Sequence, residues 1–549
     1  MRGDLGLHAA DVLTRHPNSP EPRWRSGRPS RRHDSASREP PMFAPIRFAL
    51  ISATALLAPV TCHAMEDYLR AASSAPTAIT LCGAANRDDR ATKAAACKEK
   101  GYDRLVAAID KSFDAALAKA PVNIRPLLKR DQAWFNEMIL QAAEAVQEVD
   151  EAELSDIFVA TLRQRKDALD EMAGGFGRSG LSGKWANAFG SLTVSPDASG
   201  AQRITVDMSA YYGSDKHRQC KLSTTVTKAG SWLSGSIQTP AAEASNTAAP
   251  PSQERAAPAK PPTIKLRRQG ESLRVVLIDG DETIGDRDDC DDPSQITGTY
   301  FASGGSDTAG KAETSFVAPT FDCKRPVTAT DEEICSDPDL AENDQRLNRA
   351  WKALLPRLDD STRRALTEDQ RNWVQSQTEQ FPEFLHPAWE KRTWEMHFTT
   401  SARDHVDALQ RERIALLEGF DDKRAGLAGV WLAYNAILKI TVDKDGKLSV
   451  QGWKWDQGDW KAGCDYEMTG KIVGGTFRAE GQRKNPDTLE RDHAMLIVNR
   501  LDDAFASKRS GKEGDDEAKC RRRLDYSSTA RLFPARASPD ITNFSGSFR

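Results

Sequence analysis

Apolar residues recur at steps of three and four at Tyr102, Leu105, Ala108, Ile109, Phe113 and Leu117, and again at Leu340, Leu347, Trp351 and Leu354. That period predicts two amphipathic helices, far apart in the chain, each turning one stripe toward a core. Further helical runs hold Trp134, Phe135, Met138 and Ile139, then Leu162 and Leu169; their downstream counterparts hold Trp373, then Leu409 and Leu416. Each set predicts a small bundle of three or four helices.

Behind each bundle the period drops from 3.6 to 2. Leu438, Ile440 and Val442 alternate with Lys439 and Thr441, Asp445-Gly446 turns the chain, and Leu448 and Val450 resume the alternation. This is a β-hairpin signature. Earlier, Leu192 and Val194 lead through Pro196 and Gly200 to Ile204, Val206 and Met208, and the runs 275–278 and 495–498 supply later strands. A small antiparallel barrel or sandwich is expected behind each bundle. The Ala/Pro/Ser/Glu tract at 239–262 is too low in complexity to pack and reads as a long hairpin loop within the first sheet.

Set against itself at a shift of about 240 residues, the chain brings Cys82 onto Cys323, Cys97 onto Cys335, Cys220 onto Cys464 and Cys290 onto Cys520. On the same comparison, Asp131-Gln132-Ala133-Trp134 falls on Gln370-Arg371-Asn372-Trp373, and Leu181-Ser182-Gly183-Lys184-Trp185 on Leu427-Ala428-Gly429-Val430-Trp431. The reading is a duplicated α+β module: bundle 80–177 and β domain 181–303, then bundle 321–420 and β domain 427–535. In each copy one cysteine pair precedes the Gly-x-Trp and one follows it. The expected bridges are therefore Cys82–Cys97, Cys220–Cys290, Cys323–Cys335 and Cys464–Cys520.

The amino terminus carries a different signal. Residues 1–41 are rich in Arg, Pro and Ser with no apolar period, and read as a disordered leader or a mis-assigned start. From Met42 the chain continues through thirteen mostly apolar residues, Phe48 to Val60, to Thr61-Cys62-His63-Ala64. This reads as a signal peptide over 42–64, cleaved near Ala64, and the apolar run is too short for a permanent membrane span. Periplasmic or secreted location follows, and removal of Cys62 leaves an even eight cysteines for disulfides.

Composition adds exclusions. The hydrophobic share of 39% and charged share of 28% are those of soluble globular chains, and 76 basic against 80 acidic residues give no overall pull toward nucleic acid. Beyond Ala64 the histidines are His217, His386, His397, His405 and His493, with no HExxH. His397, Asp404 and His405 fit a solvated helix face better than a metal site. The acidic run 279–292 around Cys290 fails the calcium-loop pattern, since the sixth position from Asp279 is Ile284 and the twelfth is Cys290. Trp453, Trp455 and Trp460 read as plugs of a barrel, with stacking on a sugar or protein partner as the alternative. There is no Gly-x-Ser-x-Gly and no phosphate-binding loop, so neither catalysis, metal nor cofactor is expected.

Phe321-Asp322-Cys323, Glu333-Ile334-Cys335, Asp337-Pro338-Asp339-Leu340, Asp344, Leu347 and Gln370-Arg371-x-Trp373, closing with 413–417, resemble the lysozyme inhibitor LprI amino-terminal domain family over about 100 residues. The resemblance implies an exported helical domain, with Leu340, Asp344, Gln370, Arg371 and Trp373 as its structural motif residues. It implies binding rather than catalysis, with a lysozyme-type muramidase or another envelope protein as partner. Two departures are expected: Asp131-Gln132 stands where the family has Gln-Arg, and the absence of cysteine between Cys335 and Cys464 leaves the last helix held by packing alone. The Gly-x-Trp of each β part resembles the opening of lipocalin-like barrels, which implies architecture only. The alternative function is a structural protein, or a carrier of a small apolar ligand inside the β domains.

Overall fold

The computed structural model describes residues 82, 97–98, 100–148, 152–178, 180–212, 216–237, 262–278, 290, 296–304, 316–383, 400–455, 463–474, 476–480, 488–499 and 530–541. The expected leader and signal peptide, the Ala/Pro tract up to 261, most of the acidic run, His386, His397, Trp460 and Cys520 lie outside these residues.

The first module begins with helices α1 (Tyr102–Lys119), α2 (Arg125–Glu148) and α3 (Ala152–Gly175). Its buried stripe on α1 runs through Tyr102, Val106, Ile109 and Ala116, while Leu105, Phe113 and Leu117 sit at the edge of the core. The stripe is therefore rotated slightly from the one the large apolar residues predict. Strands β1 (Gly183–Ala186), β2 (Gly190–Pro196), β3 (Gln202–Tyr212), β4 (Lys216–Ala229), β5 (Trp232–Ser236), β6 (Thr263–Gln269), β7 (Ser272–Ile278) and β8 (Gly298–Ser303) follow. Each pairs antiparallel with the next, and β8 returns to β1, closing a barrel. Closure removes the unpaired edges that an open sandwich would leave. Leu192, Val194, Ile204, Val206, Met208, Leu222, Leu266, Leu273, Val275 and Tyr300 are fully or nearly fully buried and belong to the first module's core.

The second module repeats this order, with four α-helices among its described residues: α4 (Ala329–Ser336), α5 (Pro338–Leu354), α6 (Asp360–Glu383) and α7 (Thr400–Glu418). Thr328 and Asp331 form a reciprocal capping box on α4. The Asp337 carboxylate caps α5, whose first residue, Pro338, needs no amide donor there. Strands β9 (Gly429–Ala433), β10 (Ala436–Val442), β11 (Leu448–Trp455), β12 (Gly463–Val473), β13 (Thr476–Ala479), β14 (Thr488–Asp492), β15 (Met495–Asn499) and β16 (Ala530–Ala535) close a second barrel through β16 and β9.

Both barrels are shut by the same device. Trp185 and Trp431 are fully buried and donate their indole N–H to the carbonyls of Leu181 and Leu427. Arg178 lies over the Trp185 ring at 4.4 Å, and Arg424 over Trp431 at 5.0 Å, each guanidinium also donating to carbonyls of the first and last strands or the residue just beyond. The Gly of each Gly-x-Trp has no room for a side chain: a Cβ at Gly183 would lie 2.6 Å from Arg178, and one at Gly429 2.7 Å from Arg424. Disulfides join Cys82 to Cys97, Cys220 to Cys290 and Cys323 to Cys335. Cys464 stands on β12, and its expected partner Cys520 lies outside the described residues.

Candidate functional site

Two kinds of buried ionic centre involve the residues that the sequence singles out. The first joins the second bundle to its barrel. Arg413 on α7 donates to the Asp369 carboxylate at 2.6 Å and to the Gln370 amide oxygen at 2.6 Å, both on α6. The other Asp369 oxygen accepts the Tyr434 N–H, at the turn after β9, at 2.9 Å. The Arg413 guanidinium also faces the Trp373 ring at 5.8 Å. Gln370 and Trp373 thus shape and cover this ion pair, while Arg371 points to solvent.

The first module has the same centre. Arg165 on α3 pairs with Asp131 at 2.8 Å and donates twice to the Gln132 amide oxygen, and Asp131 accepts the Ala188 N–H after β1 at 2.8 Å. Its guanidinium faces Phe135 at 5.3 Å. These contacts correct the expected alignment by one residue. Asp131-Gln132 matches Asp369-Gln370, Phe135 matches Trp373, and Ala133 stands where Arg371 does. Asp131-Gln132 is therefore no departure from the motif. The shared Asp-Gln was visible in the sequence, but matching Trp134 with Trp373 hid it. The same centres correct a second expectation, since α7 is not held by packing alone: Arg413 binds α6, and Gln410 donates to the Leu340 carbonyl. Beside Arg165 lies a cavity of about 30 Å³, room for about a single water.

The second centre joins the two modules. Glu333 and Asp337, at the end of α4 and the cap of α5, are almost wholly buried. Arg274 on β7 reaches both, at 2.5 Å and 3.1 Å; Arg130 on α2 meets Glu333 at 2.8 Å; Arg403 on α7 meets Asp337 at 3.2 Å. Burial acts to raise both carboxyls, but the guanidinia outweigh it and hold them below the ordinary carboxylate range. Around this core, the Trp232 indole donates to Asp339 at 3.0 Å and Arg267 pairs with Glu342 at 3.0 Å. The Asp337-Pro338-Asp339 motif is therefore covered by the first module. The sequence shows it only as a helix start, because the basic partners of Asp337, Arg274 and Arg403, lie 63 and 66 residues away.

The remaining motif residues are structural. Leu340 is fully buried against Ile334 and Val406. Asp344 accepts from the Thr320 amide and hydroxyl at 2.6 Å and 2.7 Å, pinning the segment that enters the bundle. Among the described residues no group of His, Cys, Asp or Glu is arranged to hold a metal. The side chains of His405, Trp453 and Trp455 are not among those described.

In comparison with known proteins, a family model described as Lysozyme inhibitor LprI matches residues 323–416. The matched segment starts at Cys323 and reaches Leu416 on α7, so it coincides with the second bundle. No curated protein and no solved structure matches the chain.

Proposed function

We propose that the chain is an exported binding protein of the cell envelope that inhibits a lysozyme-type muramidase. The observation that carries this reading is the match over 323–416, whose described residues form helices linked by the Cys323–Cys335 disulfide. Oxidised cysteine pairs in both modules support an oxidising compartment. Inhibition requires a group that can occupy the cleft between the enzyme's two catalytic carboxyls. The acidic face at Glu333 and Asp337 is already covered by the first module, so the inhibitory surface lies elsewhere on the chain. The carrier reading is disfavoured by the packing of the first barrel, where Trp185, Met208 and Tyr300 are fully buried in the core.

A turbidity assay on bacterial walls tests the proposal, with purified chain mixed with hen-type or goose-type lysozyme. Slower clearing with at least one enzyme is expected. Unchanged lysis by both would overturn the reading.

A further inference from the structure

The junction between modules is a head-to-tail contact: the front of the second bundle, carrying Glu333, Asp337, Asp339 and Glu342, sits on the back of the first module, carrying Arg130, Trp232, Arg267 and Arg274. Helix contacts and strand registers relate the two modules position by position. Tyr102 against Phe158 corresponds to Leu340 with Val406, and the pairs Leu266↔Val275 and Leu273↔Tyr300 correspond to Leu489↔Val498 and Leu496↔Leu532. The first module therefore has a front, and the second a back, that this contact leaves unused.

At one ion pair of the contact the signs are exchanged, while Ala95 and Glu99 stand in the sequence at the positions of Glu333 and Asp337. On the unused front, Arg104 stands at the position of Glu342, with Lys98 and Lys100 at those of Ser336 and Pro338, and all three are exposed. On the unused back, Glu368 stands at the position of Arg130 and Glu490 at that of Arg267. Ile497 replaces Arg274, facing outward and only half-buried between the inward Leu496 and Val498. Glu368 is 67% exposed, and Arg531 lies 3.7 Å from it. The Arg267–Glu342 pair inside the chain thus has a counterpart with its signs reversed, Glu490 and Arg104.

The geometry points to head-to-tail association of this chain with itself. The front of the first module of one copy docks on the back of the second module of the next, with Arg104 against Glu490 and Lys98 and Lys100 toward Glu368. The occupant is a second copy because the two surfaces stand at the positions of a contact this sequence already makes, with its outer ion pair reversed in sign and Ile497 in place of Arg274. A contact of this kind uses different surfaces on its two sides, so it extends into chains or closes into rings.

Sedimentation velocity of the full chain tests this independently of any lysozyme. Association should rise with protein concentration and weaken as salt screens the pairs. Arg104→Glu or Glu490→Arg alone should each weaken association by about tenfold, and mixing the two variants should restore it, since each then meets an opposite charge. All these positions are exposed, so circular dichroism should be unchanged. A chain that stays monomeric at low salt and high concentration, or an association indifferent to both reversals, would overturn the proposal.

Discussion

Glu412 sits on α7 next to Arg413, almost fully buried, and burial pushes its carboxyl up to about 8, with Arg413 only partly opposing the shift. An acid raised from an ordinary 4.5 to this level is neutral in the folded chain at pH 7 and ionised in the unfolded one. Its contribution to stability is complete below pH 4.5 and is lost as pH rises toward 8, at up to about 1.4 kcal/mol per pH unit. Glu412→Gln keeps the shape and removes the titration. Thermal unfolding should show the variant more stable than the parent by a few kcal/mol at pH 8 and little changed at pH 4.5. A second residue is strained by its backbone. His493, at φ 52, is the one non-glycine among the described residues with positive φ, and it stands where the first barrel has Gly270 at φ 60. The Arg268 and Arg491 side chains donate to the carbonyls of Gly270 and His493, which fixes the correspondence. His493→Gly should raise stability by about 1 kcal/mol, read as a higher denaturant midpoint. Neither feature is legible in the sequence, since burial of one carboxyl and the sign of one dihedral leave no periodic trace.

Among elements, what the sequence shows is what repeats at short range. The alternation in β2, β3, β10 and β11 and the helical stripe of α5 place those elements directly. The turns are legible for the same reason: Asp197 and Asp443 each accept amides two and four residues on, either side of Gly200 and Gly446. The choice between barrel and sandwich was not legible, because closure depends on β8 meeting β1 more than a hundred residues earlier. The Asp-Gln-Arg centres were half legible: Asp and Gln are adjacent, but their arginines lie on the last helix of each bundle. These centres tie bundle to barrel through one backbone amide each. Asp369→Ala leaves Arg413 buried without its counter-ion and strips the Tyr434 N–H of its acceptor. A loss of about 3–5 kcal/mol is expected in denaturant unfolding, whereas Arg371→Ala, on the exposed face of α6, should cost under about 0.5 kcal/mol.

For the whole molecule, the question is whether the two modules unfold together. Three guanidinia from α2, β7 and α7 converge on Glu333 and Asp337, and Arg274 alone touches both carboxylates. Arg274→Leu leaves those carboxylates in a dry interface with less compensation, which typically costs about 3–5 kcal/mol. In calorimetry the variant should therefore show the transition of the second bundle separating to lower temperature, ahead of the barrels. Removing the two carboxylates as well, Arg274→Leu with Glu333→Gln and Asp337→Asn, strands the buried Arg130 and Arg403 instead and should not recover that loss. Acid should act in the same direction as the single variant. Both carboxyls are held below their ordinary values, so their contribution is present above about pH 4.5 and fades as pH falls through the depressed folded values. The parent in acid should come to resemble Arg274→Leu at neutral pH, while the triple variant should lose this acid sensitivity. If Arg274→Leu leaves the calorimetric profile unchanged, the modules are coupled by apolar packing and the ionic centre only sets the register of their contact.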